Sequence, residues 1–168
     1  MKSANLKAAL KLSKIKKYKE ALQYLIKAQD QGDAEAIFAL ESWYYFGRAV
    51  KKDKKKSNSL LKKAASLGSP EACYTLAVNF ELGKGIAKNL KTAFRLYKRA
   101  HDLGYKKGAL EVARFYYYGI GIKPDFKKSH KYYLIAARNN LKDAYEALGW
   151  MYKNGEGVSI NIKRSEFW

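Results

Sequence analysis

Residues 36–50 read AIFALESWYYFGRAV, residues 72–86 ACYTLAVNFELGKGI, residues 108–122 GALEVARFYYYGIGI and residues 144–158 AYEALGWMYKNGEGV. Each stretch starts 36 residues after the one before it, so the four stack into columns. Gly47, Gly83, Gly119 and Gly155 form one column, and Leu40, Leu76, Val112 and Leu148 a second. Outside the stretches the same step links Gly32, Gly68, Gly104 and Asn140. A fixed period in this range is the signature of a solenoid, whose stacked units are each too small to bury a core alone. Such folds usually bind and rarely catalyse.

Within a repeat the first segment is helical in pattern. Ala36, Leu40 and Tyr44 recur as Ala72, Leu76 and Phe80, then Gly108, Val112 and Tyr116, then Ala144, Leu148 and Tyr152. Spacing of i, i+4, i+8 sets one small, one aliphatic and one aromatic side chain along a single face. The small residue admits a neighbouring helix, and the aromatic supplies most of the buried area. The glycine that follows stops this helix by adopting positive φ, and Ile or Val then re-enters the core. A phosphate-loop reading of Gly83-x-Gly85 and its repeats lacks its context, since no strand precedes it and no further glycine follows. Asp53, Asn89, Asp125 and Asn161 come next in one column and suit the N-cap of a second helix. That helix carries Leu61, Tyr97 and Tyr133 and then Ala64, Ala100 and Ala136 in register, and closes at Gly68, Gly104 or Asn140. Residues 18–32 carry the second-helix pattern alone, and residues 5–16 form a shorter helix capping the stack.

The expected fold is therefore all-α, a solenoid of helix pairs with a 36-residue repeat, in one domain over residues 1–168. Capping helices occupy 1–32, full repeats 33–68, 69–104 and 105–140, and a partial repeat 141–168. At 168 residues the chain can build a real core. No run of eighteen apolar residues exists, so no helix spans a membrane. The basic stretch 1–17 has no continuous apolar segment, unlike a secretory signal. Cys73 is the sole cysteine, which excludes an internal disulfide and fits a reducing, cytoplasmic setting.

These residues resemble the Sel-one-like repeat (SLR) family, relatives of the tetratricopeptide repeats with a slightly longer unit. Ala144, Leu148, Gly149, Tyr152, Gly155, Gly157 and Val158 reproduce the first half of the family pattern, and Ala64, Ala65 and Gly68 its end. The resemblance covers 18–168. It departs at Ala49, which replaces the second loop glycine, and at Glu41, which replaces the small residue beside the aliphatic one. It implies a right-handed superhelix with first helices lining a concave face, no catalytic residue and no cofactor. Its members typically act as adaptors in signalling, secretion and host contact. Some are secreted and tie each repeat with a cysteine pair, which this chain lacks.

The net charge is +19, and lysine carries it: 28 Lys against 6 Arg. Lysine is a hydrated point charge rather than a forked phosphate or carboxylate clamp, so a solvated surface is one reading and an acidic partner the other. The first-helix segments 33–46, 69–82, 105–118 and 141–154 hold eight acids and only five bases, so the groove reads as near-neutral and the exterior as basic. Lys51, Lys52, Lys54, Lys55 and Lys56 form the densest run, echoed by Lys123, Lys127 and Lys128. On the first-helix face opposite the core, Phe38, Tyr45, Tyr74, Arg114, Tyr117 and Trp150 are the candidate partner-binding residues, aromatic anchors beside an arginine. The neighbouring column of Phe46, Leu82, Tyr118 and Asn154 either joins that face or packs against the next repeat.

No catalytic or metal constellation emerges. His101 and His130 have no second ligand at helical spacing, and Cys73 shares a column with Ile37, Ala109 and Tyr145, a packed position with no histidine beside it. The expected function is a protein-binding adaptor, in a narrower form an inhibitor or immunity protein against a toxin or effector of its own cell. The alternative is nucleic-acid binding through the lysine-rich exterior, against which stand the few arginines and a groove without a basic strip. Trp168 ends the chain one turn into a second helix. That predicts partly exposed Leu148 and Met151, and either a continuing chain or docking of this end on a partner or second copy.

Overall fold

The computed structural model describes Ser3–Trp168; Met1 and Lys2, the start of the expected cap, lie outside the described residues. Every regular element among the described residues is helical. The capping pair is α1 (Ala4–Lys14) and α2 (Tyr18–Asp30). Then follow α3 (Ala34–Phe46) with α4 (Lys54–Ser66), and α5 (Pro70–Leu82) with α6 (Leu90–Asp102). The last pairs are α7 (Lys106–Tyr118) with α8 (Phe126–Arg138), and α9 (Lys142–Asn154) with α10 (Ile162–Phe167). Starts of α3, α5, α7 and α9 are 36 residues apart, as are those of α2, α4, α6, α8 and α10. Contacts divide the chain into two compact units, Met1–Leu76 and Ala77–Trp168, with the boundary inside α5.

The repeat extends to individual hydrogen bonds. Asp53, Asn89, Asp125 and Asn161 each accept, through the side chain, the N–H three residues on (2.9–3.0 Å), the N-cap bond expected of them. Each also donates its own N–H to the carbonyl of the aromatic residue nine positions earlier, Tyr44, Phe80, Tyr116 and Tyr152. That pair of bonds fixes how a second helix leaves the loop. At the loop's start Gly47, Gly83, Gly119 and Gly155 have φ of 78°, 72°, 65° and 72°, as the helix-stop reading requires. Ala49 adopts the same left-handed conformation as the glycines it replaces, with φ 55°.

In the N-terminal unit each helix from α1 to α4 packs on the next. Ala36, Leu40, Leu61 and Ala64 are buried there, and the Cys73 thiol is fully buried with Sγ 3.5 Å from the Ala65 carbonyl. Glu41 is a charged side chain inside this core: only 8% exposed, it accepts a 2.7 Å hydrogen bond from the Ser57 hydroxyl.

In the C-terminal unit α6 to α10 likewise pack in succession. Phe115 is fully buried, stacked on Phe94 (6.0 Å between centroids) and edge-on to Tyr97 (5.5 Å). Gly108 lies so close to α6 that a Cβ there would stand 2.6 Å from the His101 backbone nitrogen, so this repeat holds glycine where the other three hold alanine. The end of the chain differs from the expectation. Leu148 and Met151 are wholly buried, because the short α10 closes over α9. Gly149 lets the Ser165 carbonyl approach, Trp168 stacks on Tyr145 (5.9 Å, 16° between planes), and Arg164 donates to the Tyr152 hydroxyl at 3.1 Å. Six helical residues suffice to cover the seam. Exposed apolar side chains at this end are instead Ile160, Ile162 and Phe167.

Candidate functional site

The first-helix faces of α7 and α9, with Tyr133 of α8 between them, enclose a cleft of about 480 Å³ in the C-terminal unit. Leu110, Glu111, Arg114, Tyr117 and Tyr118 come from α7, and Asp143, Glu146, Ala147 and Trp150 from α9. The helical period explains the selection. Leu110, Arg114 and Tyr117, like Asp143, Glu146 and Trp150, are spaced by three or four residues and so share one stripe of their helix, half-buried on α7 and exposed on α9.

Arg114 is held on two sides. Its Nη2 donates to Glu81 Oε1 at 2.6 Å and its Nε to Glu111 Oε2 at 2.8 Å, while Glu81 Oε2 accepts from the Tyr97 hydroxyl at 2.7 Å. Burial alone would lower the Arg114 pKa, but the hydrogen bonds to Glu81 and Glu111 outweigh it and hold the guanidinium above its ordinary value. The arginine is therefore a fixed wall, not a mobile charge.

Tyr117 is fixed too. Its hydroxyl donates to Glu156 Oε2 at 2.5 Å, and its ring meets Tyr118 and Phe126 edge-on at 4.8 and 5.4 Å. Burial, then the bond to Glu156, raises its pKa, so the phenol stays protonated as a donor. Tyr133 at the back of the cleft is pushed up to about 12, chiefly by burial. At the mouth Trp150 and Tyr118 expose 56% and 68% of their surface. Those two are the large aromatic faces open to a partner.

Of the six expected partner-binding residues, Arg114, Tyr117 and Trp150 meet in this cleft. Phe38, Tyr45 and Tyr74 belong to the N-terminal unit, where all three are half-buried and the Tyr45 ring is edge-on to Phe46. The column of Phe46, Leu82, Tyr118 and Asn154 is exposed throughout, with Phe46 and Leu82 as open as Tyr118. Its members are available surface rather than seam. Lys51, Lys52, Lys54, Lys55 and Lys56 are all exposed, the last three in the first turn of α4, where the positive end of the helix disfavours cations. Lys123, Lys127 and Lys128 are exposed as well, and Lys128 pairs with Asp125 at 2.9 Å over the Tyr116 ring.

The cleft corrects the expectation of a near-neutral groove. Glu111, Asp143 and Glu146 line it against one arginine, and Lys106, Lys107, Lys142 and Lys153 of the same helices are exposed without lining it. Segment totals of charge hid this, because those lysines sit near helix ends. The signal lay in the helical stripe: Asp143, Glu146 and Trp150 share one face with no base among them.

The sequence profile of the Sel1 repeat matches residues 6–33, 34–69, 70–105, 106–141 and 142–168. Among solved structures, the chain is similar to a Sel1 repeat protein from Oxalobacter formigenes at 28% identity and TM-score 0.86, covering 95% of this chain and 66% of that one. It is also similar to c5321, a protective antigen of uropathogenic Escherichia coli with an SLR fold (26%, TM-score 0.79, 88% of this chain and 32% of that one). A third likeness is to cysteine-rich protein B of Helicobacter pylori (29%, TM-score 0.57, 75% and 90%). The chain thus spans just under two thirds of the first protein and about a third of the second. No curated protein sequence matches it.

Proposed function

Because the chain belongs to the Sel1 repeat family, whose members are generally protein–protein interaction modules, we propose that it is a non-catalytic module that holds a protein partner against its first-helix faces, with the α7–α9 cleft as the site. One observation carries this reading: two exposed aromatic faces, Trp150 and Tyr118, stand over a cleft whose deeper polar groups are already bonded to one another. Pre-ordered polar walls lose little entropy when a partner arrives, and exposed aromatics beside them are what interface hot spots use. An adaptor and an inhibitor of an effector made in the same cytoplasm would both use such a site.

The second reading is nucleic-acid binding through Lys51–Lys56, favoured by three lysines placed in a helix first turn against the helix dipole. Filter binding of mixed RNA and DNA across a salt series separates the two. A protein-binding module gives weak retention that vanishes at physiological salt. Tight retention with a steep salt slope would assign the exterior to nucleic acid and overturn the cleft reading.

A further inference from the structure

The chain carries +19 overall, yet the aromatic-walled recess between α7 and α9 is acidic. Arg114 does not neutralise it, since its guanidinium is taken by Glu81 and Glu111. Asp143 and Glu146 are exposed and have neither an ion pair nor a hydrogen bond among the described residues. With Trp150 they fall at i, i+3 and i+7 on α9, so two carboxylates and an indole face lie in one line along the cleft.

Carboxylates beside an open aromatic face are the chemistry that recognises an organic cation: the acid pairs with the charge, and the ring quadrupole attracts it. The same carboxylates repel phosphate and acidic peptide. Resting on the reading of this cleft as the partner site, we propose that it takes an arginine or lysine side chain from a basic segment of the partner protein, paired with Asp143 and Glu146 and covered by Trp150. Charge complementarity identifies the occupant, and a recess of about 480 Å³ lined from α7, α9 and Tyr133 has room for one long side chain. The lysine-rich exterior then has an opposite role, repelling basic segments everywhere except at this mouth and so setting where they enter.

Fluorescein-labelled tetra-arginine, tetra-lysine and tetra-glutamate peptides, titrated by anisotropy at low salt, test this directly. The net charge of the protein disfavours the two cationic probes, so their binding reports a local site. The expected result is saturable binding of tetra-arginine or tetra-lysine, weakened about tenfold or more by Asp143→Asn with Glu146→Gln and by Trp150→Ala. Lys54→Glu with Lys55→Glu leaves that affinity unchanged or slightly raised. All five positions are exposed, and circular dichroism confirms that each variant folds. Absence of cationic binding, or binding indifferent to the double carboxylate variant, overturns the proposal. Self-association of the protein alone, abolished by the same double variant, overturns it too and makes a second copy the occupant. A captured partner that needs Trp150 but neither Asp143 nor Glu146 sinks the cationic ligand and leaves the partner site standing.

Discussion

Glu41 occupies the column of Ala77, Ala113 and Gly149, and burial raises its pKa while the hydrogen bond from Ser57 works the other way. In the third repeat the equivalent serine, Ser129, donates to the Ala113 carbonyl instead, at 3.0 Å. A raised carboxyl pKa means that the folded state prefers the protonated form. Its contribution is therefore complete below the unfolded value and is lost as pH rises through the folded one. Glu41→Gln, which keeps the Ser57 contact and removes the charge, is expected to raise the melting temperature at about pH 8. The gain should fade toward about pH 4, where Glu41 is itself neutral. A gain that grew on acidification would show that the folded carboxyl is not destabilised by burial. Loop position 49 offers a second contrast. Ala49 holds a left-handed φ beside an open cleft formed with residues 16–20, whereas a Cβ on Gly121 would lie 2.5 Å from Leu90 Cβ. Gly121→Ala is accordingly expected to cost about 1–3 kcal/mol, from strain and overpacking together. Ala49→Gly should shift stability by less than about 1 kcal/mol, the left-handed relief opposing the added chain entropy. Urea midpoints of the two variants check the pair.

At the scale of the helices, the second-helix N-cap recurs in all four repeats. Asn89→Ala removes the 2.9 Å bond to the Thr92 N–H and is expected to cost about 1 kcal/mol, with Asn89→Asp close to neutral. Equal stability of both variants in urea would mean that α6 is set by packing alone. These helices were legible because a 36-residue step turns weak local signals into columns: one cap residue is suggestive, and four in register are not accidental. What stayed hidden is contact that breaks the column. The Glu41–Ser57 bond exists in one repeat only. Closure by α10 depends on Gly149 admitting the Ser165 carbonyl, a distance no spacing rule supplies. The grip on Arg114 was half visible: Glu111 is three residues away on the same helix, but Glu81 reaches it from α5 across 33 residues.

At the scale of the molecule, composition pointed to the lysine-rich exterior, and geometry points to a small acidic recess. Arg114, Tyr117 and Trp150 were identifiable because the helical stripe opposite the core is fixed by the core itself. Asp143, Glu146 and Tyr118 are hidden in the sequence, since lysines near the helix ends mask the acidic stripe in any segment total and the Tyr118 column suits a seam as well as a surface. If the first-helix cleft is where a partner sits, losses there act on residence time, while lysines elsewhere act on encounter. The decisive measurement uses the partner captured from the source cell and follows its association and dissociation by biolayer interferometry. Two variants are compared, Tyr118→Ala with Trp150→Ala, and Lys54→Glu with Lys55→Glu. The aromatic pair should speed dissociation by at least about thirtyfold, equivalent to about 2 kcal/mol, while charge reversal alters only the on-rate and its salt dependence. Binding abolished by charge reversal and untouched by loss of Tyr118 and Trp150 would contradict the account and place the site on the basic exterior.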